Sequence, residues 1–146
     1  EACRDATRLP DLRLLRYRAH ADFYFGSGAG DLLLSGKITV RGREIQDEQK
    51  RSLAAATPSG LIALSLAGAA RLEKLGSYAV RIGDFLPKGS LLAPGVIDAD
   101  EQIRPGDDVI VIGEKAFGVG RAKMSGWEMK ASRRGVAVEI RQIKGR

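Results

Sequence analysis

The sequence predicts an α+β protein: a small α/β domain over residues 1–76, then a partly open barrel of about five strands with short helices over residues 77–146. Three observations support this. Apolar residues recur every three or four positions near the start, which predicts a helix. Short runs that alternate apolar and polar residues follow, and glycine or proline turns separate them. Short strands divided by frequent turns are typical of small barrels.

The first element is a helix over residues 9–25. Pro10 suits its first turn, where a missing N–H costs nothing, and Asp11 suits the positive end of the helix dipole. The apolar side chains at helical spacing are expected to form its buried face: Leu12, Leu15, Ala19 and Phe23. Its arginines, at positions 13, 16 and 18, are expected on a solvated face, with phosphate contact as the alternative. The lone His20 has no second ligand for a metal, so we expect a structural or exposed histidine.

Gly26, Gly28 and Gly30 invite comparison with a phosphate-binding loop. Such a loop needs a strand before it and a helix after it. Here a helix precedes the glycines and the apolar run LLLSGKITV follows them. A helix end at Gly26 with a flexible turn is therefore the favoured interpretation.

The rest of the first domain is predicted as about three strands and a helix. Residues 44–51 are polar and carry no clear pattern. Strand-like runs occur at 37–41, 53–57 and 61–65, with turns at Gly42–Arg43 and Pro58–Gly60. Residues 66–76 then predict a short helix that Gly76 ends.

The second domain is predicted as short strands around two brief helical pieces. Strands are expected at 78–82, 108–112, 116–122 and 136–143, with a turn or one-turn helix at 84–87 and a polar connection at 97–106. Ser125 and Glu128 have the spacing of a capping box, which predicts a short helix there. The lone Trp127 is interpreted as packing in the core or at its rim, since few aromatic residues accompany it for base stacking.

Residues 88–96 are predicted to form an open, edge-like segment. Gly89 and Gly95 permit backbone conformations or close approaches that a Cβ would block, and Pro94 lacks a ladder donor. Such an edge suits contact with an RNA backbone, and Lys88 adds a positive charge. An ordinary barrel loop is the alternative.

Charge favours an anionic partner. The chain carries 24 basic and 18 acidic residues, a net charge of +6, and residues 121–146 contain eight basic and two acidic residues. This favours RNA or DNA over membranes. No apolar run approaches the ~18–20 residues of a membrane span. A single cysteine, Cys3, excludes an intrachain disulfide and a cysteine-based zinc site, so a cytoplasmic setting is expected.

Four segments, in order and with suitable spacing, resemble the PUA domain found on pseudouridine synthases and archaeosine-forming transglycosylases. They are KGSLLAPGV (88–96), RPGDDVIVIGE (104–114), AFGVGRAKMSGWEM (116–129) and RRGVAVEI (133–140). Two earlier segments, at 21–34 and 61–72, are similar to the region before the PUA domain in archaeal tRNA-guanine transglycosylases. The resemblance implies a PUA-type pseudo-barrel over residues 77–146 and an archaeal protein.

The resemblance also implies binding of structured RNA, chiefly tRNA stems and the 3′ end, through the glycine-rich segment and the basic last strand. The residues carried over by motif are Lys88, Gly89, Ser90, Leu92, Pro94 and Gly95. Charge and position add Arg121, Lys123, Arg133, Arg134 and Arg141. Recognition would rest on A-form shape and phosphates, with little base contact.

We expect no catalytic residues, cofactor or metal. No Cys–His, Ser–His–Asp or paired-carboxylate arrangement stands out, and 146 residues leave no room for a catalytic barrel of ~250 residues. The main hypothesis is a non-catalytic RNA-binding protein that acts beside a tRNA-modifying enzyme. The alternatives are an accessory subunit that completes a tRNA-guanine transglycosylase or archaeosine-forming enzyme, and a protein-interaction module.

Overall fold

The computed structural model describes residues 12–56, 62–76 and 78–145. Outside this part lie Cys3, Pro10, Asp11, the side chains of Leu12 and Arg13, and the predicted turn at Pro58–Gly60. The first domain contains helices α1 (Leu12–Phe25), α2 (Ala29–Leu33) and α3 (Leu66–Leu72), with a 3-10 turn at Glu73–Leu75. An antiparallel sheet has the order β1 (Thr39–Arg41), β2 (Glu44–Gln46), β3 (Ser52–Ala56) and β4 (Ile62–Leu64).

Helix α1 buries a different face from the predicted one. Ala21 and Phe25 are buried with Tyr17 and Tyr24 beside them, whereas Ala19 is exposed, Leu15 is 47% exposed and Phe23 is 82% exposed. The predicted face was therefore wrong. Apolar residues three or four positions apart occur on more than one face of this helix. The buried face is the one where Tyr17, Tyr24 and Phe25 lie around the small side chain of Ala21. The buried stripe has three aromatic rings, those of Tyr17, Tyr24 and Phe25, whereas the predicted stripe has one, Phe23, and aromatic rings bury large areas.

The glycine turn connects two helices. Gly26 has a φ of 105° and ends α1, as predicted. The short helix α2 begins three residues later, within the run that was predicted only as apolar. A Cβ on Gly30 would lie 2.5 Å from the carbonyl oxygen of Arg18, so this glycine lets α2 pack against α1. The glycines therefore serve a tight helix–helix turn.

The first sheet has one strand more than predicted. Strand β2 lies in the polar run at 44–51, where Ile45 is fully buried and its two neighbours in the strand are partly exposed. A three-residue strand with one apolar side chain gives too short a pattern to recognise. The helix at the end of this domain is confirmed, with Ser65 as its N-cap and Gly76 at its end with a φ of 73°.

The second domain is a curled six-stranded sheet. Its order is β6 (Ser90–Leu92), β10 (Val136–Gly145), β9 (Ala116–Ala122), β8 (Asp108–Ile112), β5 (Ala79–Ile82) and β7 (Val96–Ala99). All pairs are antiparallel except β5 with β8. Val80, Leu91, Val109, Val111 and Val138 lie in its core, and helix α4 (Gly126–Ala131) packs against β7. The α+β class and the pseudo-barrel are confirmed.

One detail of the barrel differs from prediction. Strand β7 occupies part of the predicted polar connection, because an edge strand with exposed Ile97 and Asp98 does not need an apolar alternation. At residues 84–87, where a turn or a one-turn helix was predicted, the chain bends at Asp84 and Phe85 without forming a helix.

The two domains share an apolar cluster. Ile110, Phe117 and Val119 project from the outer face of the barrel sheet and join the core of the first domain around Phe25 and Leu64. The division between residues 76 and 77 stays a prediction, since packing is continuous across it. In the described part of the chain, no helix is long and apolar enough to cross a bilayer.

Candidate nucleic-acid interface

The segment Lys88–Gly95 lies at the open edge of the barrel sheet. Strand β6 is a terminal strand of the sheet, and among the described residues it pairs only with β10, so no described strand covers its other side. Gly89 has a φ of 71°, and its carbonyl accepts a hydrogen bond from the Ile140 N–H at 2.8 Å. Leu91 is fully buried and anchors the strand, while Ser90 and Leu92 are exposed. Alternation along β6 therefore turns two of the predicted site residues towards solvent.

A shallow groove of about 370 Å³ runs beside this edge. It is mainly apolar, and five of the six motif-derived residues line it together with Phe85 and Pro87: Lys88, Ser90, Leu92, Pro94 and Gly95. A Cβ on Gly95 would lie 2.7 Å from Cζ of Phe85, so the glycine makes room for that ring. Sequence reasoning missed Phe85, although it lies three residues before Lys88. The groove can take apolar sugar and base surface as well as charge.

Arg133 and Arg134 lie in a loop next to this edge. The Ala93 N–H donates to the Gly135 carbonyl at 2.9 Å, and Val136 pairs with Leu92. Both arginines are exposed. Among residues 12–56, 62–76 and 78–145, no carboxylate forms an ion pair with either arginine or with Lys88. Three cations that pair with no described carboxylate thus flank the groove.

Lys123 and Arg141 already have protein partners. Lys123 lies 2.9 Å from the Glu139 carboxylate, and its hydrogen bond and charge hold the pKa of Glu139 below its usual value. Arg141 binds both carboxylate oxygens of Asp108 at 2.8 Å and also donates to the Leu64 carbonyl. The Leu64 N–H donates to the same carboxylate at 2.7 Å. Arg141 therefore ties β10 and β8 to the first domain, and its predicted RNA contact stays a prediction.

Arg121 lies on β9, two strands away from the edge strand β6. Ser90, Glu139 and Arg121 are directly opposite one another across β6, β10 and β9. Neighbouring strands lie ~4.8 Å apart, so Arg121 is roughly 10 Å from the edge strand. The structure thus places nine of the predicted residues on one connected surface, with Arg121 at its margin: Lys88, Gly89, Ser90, Leu92, Pro94, Gly95, Arg121, Arg133 and Arg134.

Trp127 is not in the core. Its side chain is 65% exposed, and α4 instead buries Gly126 and Met129. A Cβ on Gly126 would overlap the carbonyl oxygen of Asp100, so the helix can pack closely on that side only through glycine. The capping box of Ser125 and Glu128 is present as predicted. Because α4 packs against the turn at Ala93–Gly95, the exposed indole belongs to a helix that borders the groove.

The described residues contain no cluster of three or more His, Cys, Asp or Glu side chains that could hold a metal ion. The groove is lined by apolar residues, a serine and a lysine, and it contains no carboxylate or histidine. This arrangement can hold an anionic polymer by charge and shape.

Comparison with known proteins finds a family model and several relatives that resemble this chain. A model of the PUA domain matches residues 81–144. The chain is 50% identical to an archaeosine synthase subunit alpha of Methanosarcina acetivorans over 87% of its own length and 21% of that protein. It is 30% identical to a tRNA-guanine(15) transglycosylase of Methanosphaera stadtmanae over 96% of its own length and 24% of that protein. The chain spans less than a quarter of either relative.

A solved structure supports the fold. The chain is similar to a conserved PUA domain protein from Thermoplasma acidophilum, with a TM-score of 0.65 and 21% sequence identity. The match covers 92% of this chain and 90% of that protein, so it includes the helices and the small sheet of the first domain. The arrangement of both domains therefore occurs in another protein at low sequence identity.

Proposed function

Residues 81–144 belong to the PUA domain family, and on this premise we propose that the chain is a non-catalytic module that binds structured RNA, such as the stem and 3′ end of a tRNA. One observation carries the proposal. An open sheet edge, an apolar groove and three cations that pair with no carboxylate in the described part of the chain meet at Lys88–Gly95 and the loop of Arg133 and Arg134.

Each part of this surface suits a different part of an RNA helix. Lys88, Arg133 and Arg134 would contact phosphates, which position the RNA without selecting its sequence. The groove beside Leu92 and Phe85 would take ribose or the face of a terminal base. Because the groove has little polar lining, shape and backbone charge would dominate over direct base recognition.

The relatives indicate a setting in tRNA modification. They are named archaeosine synthase and tRNA-guanine transglycosylase, and this chain matches less than a quarter of each. We propose that the chain holds tRNA for such an enzyme, as its RNA-binding part or as a cytoplasmic accessory subunit. The catalytic groups would then be supplied by segments or partners that this chain does not match.

Charge reversal at the groove tests the proposal. We expect Lys88→Glu and Arg133→Glu each to weaken binding to an unmodified tRNA transcript by about tenfold at low salt and to reduce the slope of log affinity against log salt by about 1. Fluorescence anisotropy across a salt series measures both quantities. Duplex DNA and a transcript without the 3′ CCA show whether A-form shape and the 3′ end contribute.

Arg43→Glu is the matched control, because Arg43 is exposed in the turn between β1 and β2, on the first domain. It changes the net charge equally and should leave the affinity and slope near those of the original protein. If Arg43→Glu and Lys88→Glu weaken tRNA binding equally, the RNA responds only to the net charge of the protein and does not contact Lys88. Absence of tRNA binding at low salt would refute the proposed function.

A further inference from the structure

A second cavity lies between the two domains, away from the groove. Its volume is about 220 Å³. Phe25 and Ile62, both nearly fully buried, form its deep part, and Tyr24 and Tyr78 line it above them. Asp107, Asp108 and the exposed Arg121 line it towards solvent, together with Pro105 and Gly106. The cavity thus combines aromatic rings with one basic group and two carboxylates, of which that of Asp108 is already bound by Arg141.

Tyr78 is held in this cavity by a strained backbone. Its φ is 54°, a region that bulky side chains rarely adopt, at a cost of about 1–3 kcal/mol. Two hydrogen bonds fix the conformation: the Tyr78 N–H donates to Asp100 Oδ2 at 2.8 Å, and its carbonyl accepts from the Ile110 N–H at 3.0 Å. The ring meets Phe25 edge to face at 5.8 Å between centroids. Strain that the surroundings enforce in this way is concentrated at functional sites.

The polar groups of the cavity have unused hydrogen-bonding capacity. Neither the Tyr24 nor the Tyr78 hydroxyl hydrogen-bonds to another described residue. Among the same residues, the Asp107 carboxylate accepts only from the Arg104 N–H, through Oδ2 at 2.9 Å. Burial, followed by the charges of Asp107 and Asp100, raises the pKa of the Tyr78 phenol, so its hydroxyl stays protonated at neutral pH. Arg121 forms no ion pair within the described part of the chain.

We propose that this cavity binds a single unpaired base of the bound RNA, stacked against Tyr24 and Tyr78, with the phosphate of that nucleotide on Arg121. The inference rests on the proposed RNA binding and adds a site to it. The volume of the cavity limits the size of its ligand. Pockets for drug-sized ligands measure ~300–1,000 Å³, and this cavity is smaller, so its ligand should be smaller too. A flat ring system fits such a space, and aromatic walls favour it by stacking.

Asp107 adds a preference among bases. An ionised carboxylate only accepts hydrogen bonds, so Oδ1, which accepts from no described residue, favours a base edge with N–H donors. Guanine presents two adjacent N–H groups on its pairing edge, whereas adenine presents an acceptor beside its amino group. The cavity should therefore prefer an unpaired guanine over an unpaired adenine.

Arg121 connects this cavity to the groove surface. It lies opposite Glu139 across β9 and β10, and Glu139 lies opposite Ser90 of the edge strand. A helical stem on the groove could therefore place an unpaired nucleotide beside the cavity, roughly 10 Å away, without leaving the protein surface.

The test uses the full chain and three RNA hairpins that share one stem: fully paired, with one bulged guanine, and with one bulged adenine. We expect the bulged guanine hairpin to bind about tenfold more tightly than the paired one, since stacking of one base contributes ~1–3 kcal/mol. Tyr24→Leu should abolish this preference. Asp107→Asn should reduce the preference for guanine over adenine, because the new amide offers a donor. A bulged 2-aminopurine should lose fluorescence on binding.

Tyr17→Leu is the matched control. Tyr17 lies on the same helix and packs against the same apolar cluster, but it does not line the cavity. It should keep the preference for the bulged hairpin, and thermal melting checks that both leucine variants stay folded. Equal affinity for paired and bulged hairpins, or an unchanged preference in Tyr24→Leu, would overturn this inference alone. No binding of the paired hairpin at low salt would instead refute the proposed function.

Discussion

Replacement of Arg141 by methionine should destabilise the protein far more than loss of an ordinary surface cation. Arg141 binds both oxygens of Asp108 and the Leu64 carbonyl, so it joins the barrel to the first domain. The Asp108 side chain is only 6% exposed. Methionine keeps the length of the side chain but removes every donor. The carboxylate would keep one donor, the Leu64 N–H.

The size of the effect follows from burial. Removal of one partner from a fully buried ion pair costs ~3–5 kcal/mol, because the other charge is left unpaired. Arg141 is 33% exposed, so solvent screens part of this interaction. We therefore expect a loss of about 2–3 kcal/mol in the free energy of unfolding. For a protein of this size that corresponds to a fall in Tm of roughly 6–9 °C.

Urea unfolding followed by far-UV circular dichroism measures this loss. Lys123→Met is the control, because its pair with Glu139 lies on the same sheet with side chains 48% and 60% exposed, and such pairs contribute ~0.2–1 kcal/mol. The double variant Asp108→Leu with Arg141→Met should recover part of the loss, since no unpaired carboxylate remains. If Arg141→Met lowers the free energy of unfolding no more than Lys123→Met does, the Arg141–Asp108 pair does not hold the two domains together.

Two further predictions concern α4 and are measured by the same unfolding experiment. Gly126→Ala should cost about 2–3 kcal/mol, because a Cβ would overlap the Asp100 carbonyl oxygen. Gly36→Ala is the control, because Gly36 has a φ of 80° but open space around it, and it should cost about 1 kcal/mol. If both variants lose the same free energy of unfolding, the overlap with Asp100 is not the cause. Ser125→Ala should cost about 1 kcal/mol through loss of the N-cap. Ser132→Ala, at the other end of α4, is the control and should change the free energy of unfolding little. If it costs as much as Ser125→Ala, the loss does not come from the N-cap.

The sequence predicted the barrel well where local chemistry alone decides the structure. The run DVIVI is a strand because β-branched residues follow a strong turn, and the Ser125 cap was visible from its spacing to Glu128. Gly76 ends its helix as expected. The glycine-rich segment at 88–96 lies on the sheet edge, as the combination of Pro94 with two glycines indicated. In each case residues within a few positions determine the outcome.

Prediction failed where distant residues decide. The buried stripe of α1 depends on which side meets α2 and the outer barrel face, and several stripes of that helix carry apolar residues. Strand β7 pairs with β5, although its four residues, Val96–Ala99, carry too short a pattern to predict a strand. Trp127 is exposed because Gly126 and Met129 face the barrel instead. The cavity beside Tyr78 requires both domains, so no single segment could indicate it.

Distant residues also decide which basic side chains are available to an RNA. Residues 121–146 carry eight basic residues, but Lys123, Lys130 and Arg141 each form an ion pair with a carboxylate. Paired cations release few counterions when a phosphate approaches, because their charge is already balanced locally. The proposed surface therefore rests on Lys88, Arg121, Arg133 and Arg134. Four phosphate contacts correspond to a slope of roughly 3–4 in log affinity against log salt, and a much steeper slope would mean that RNA breaks the internal pairs.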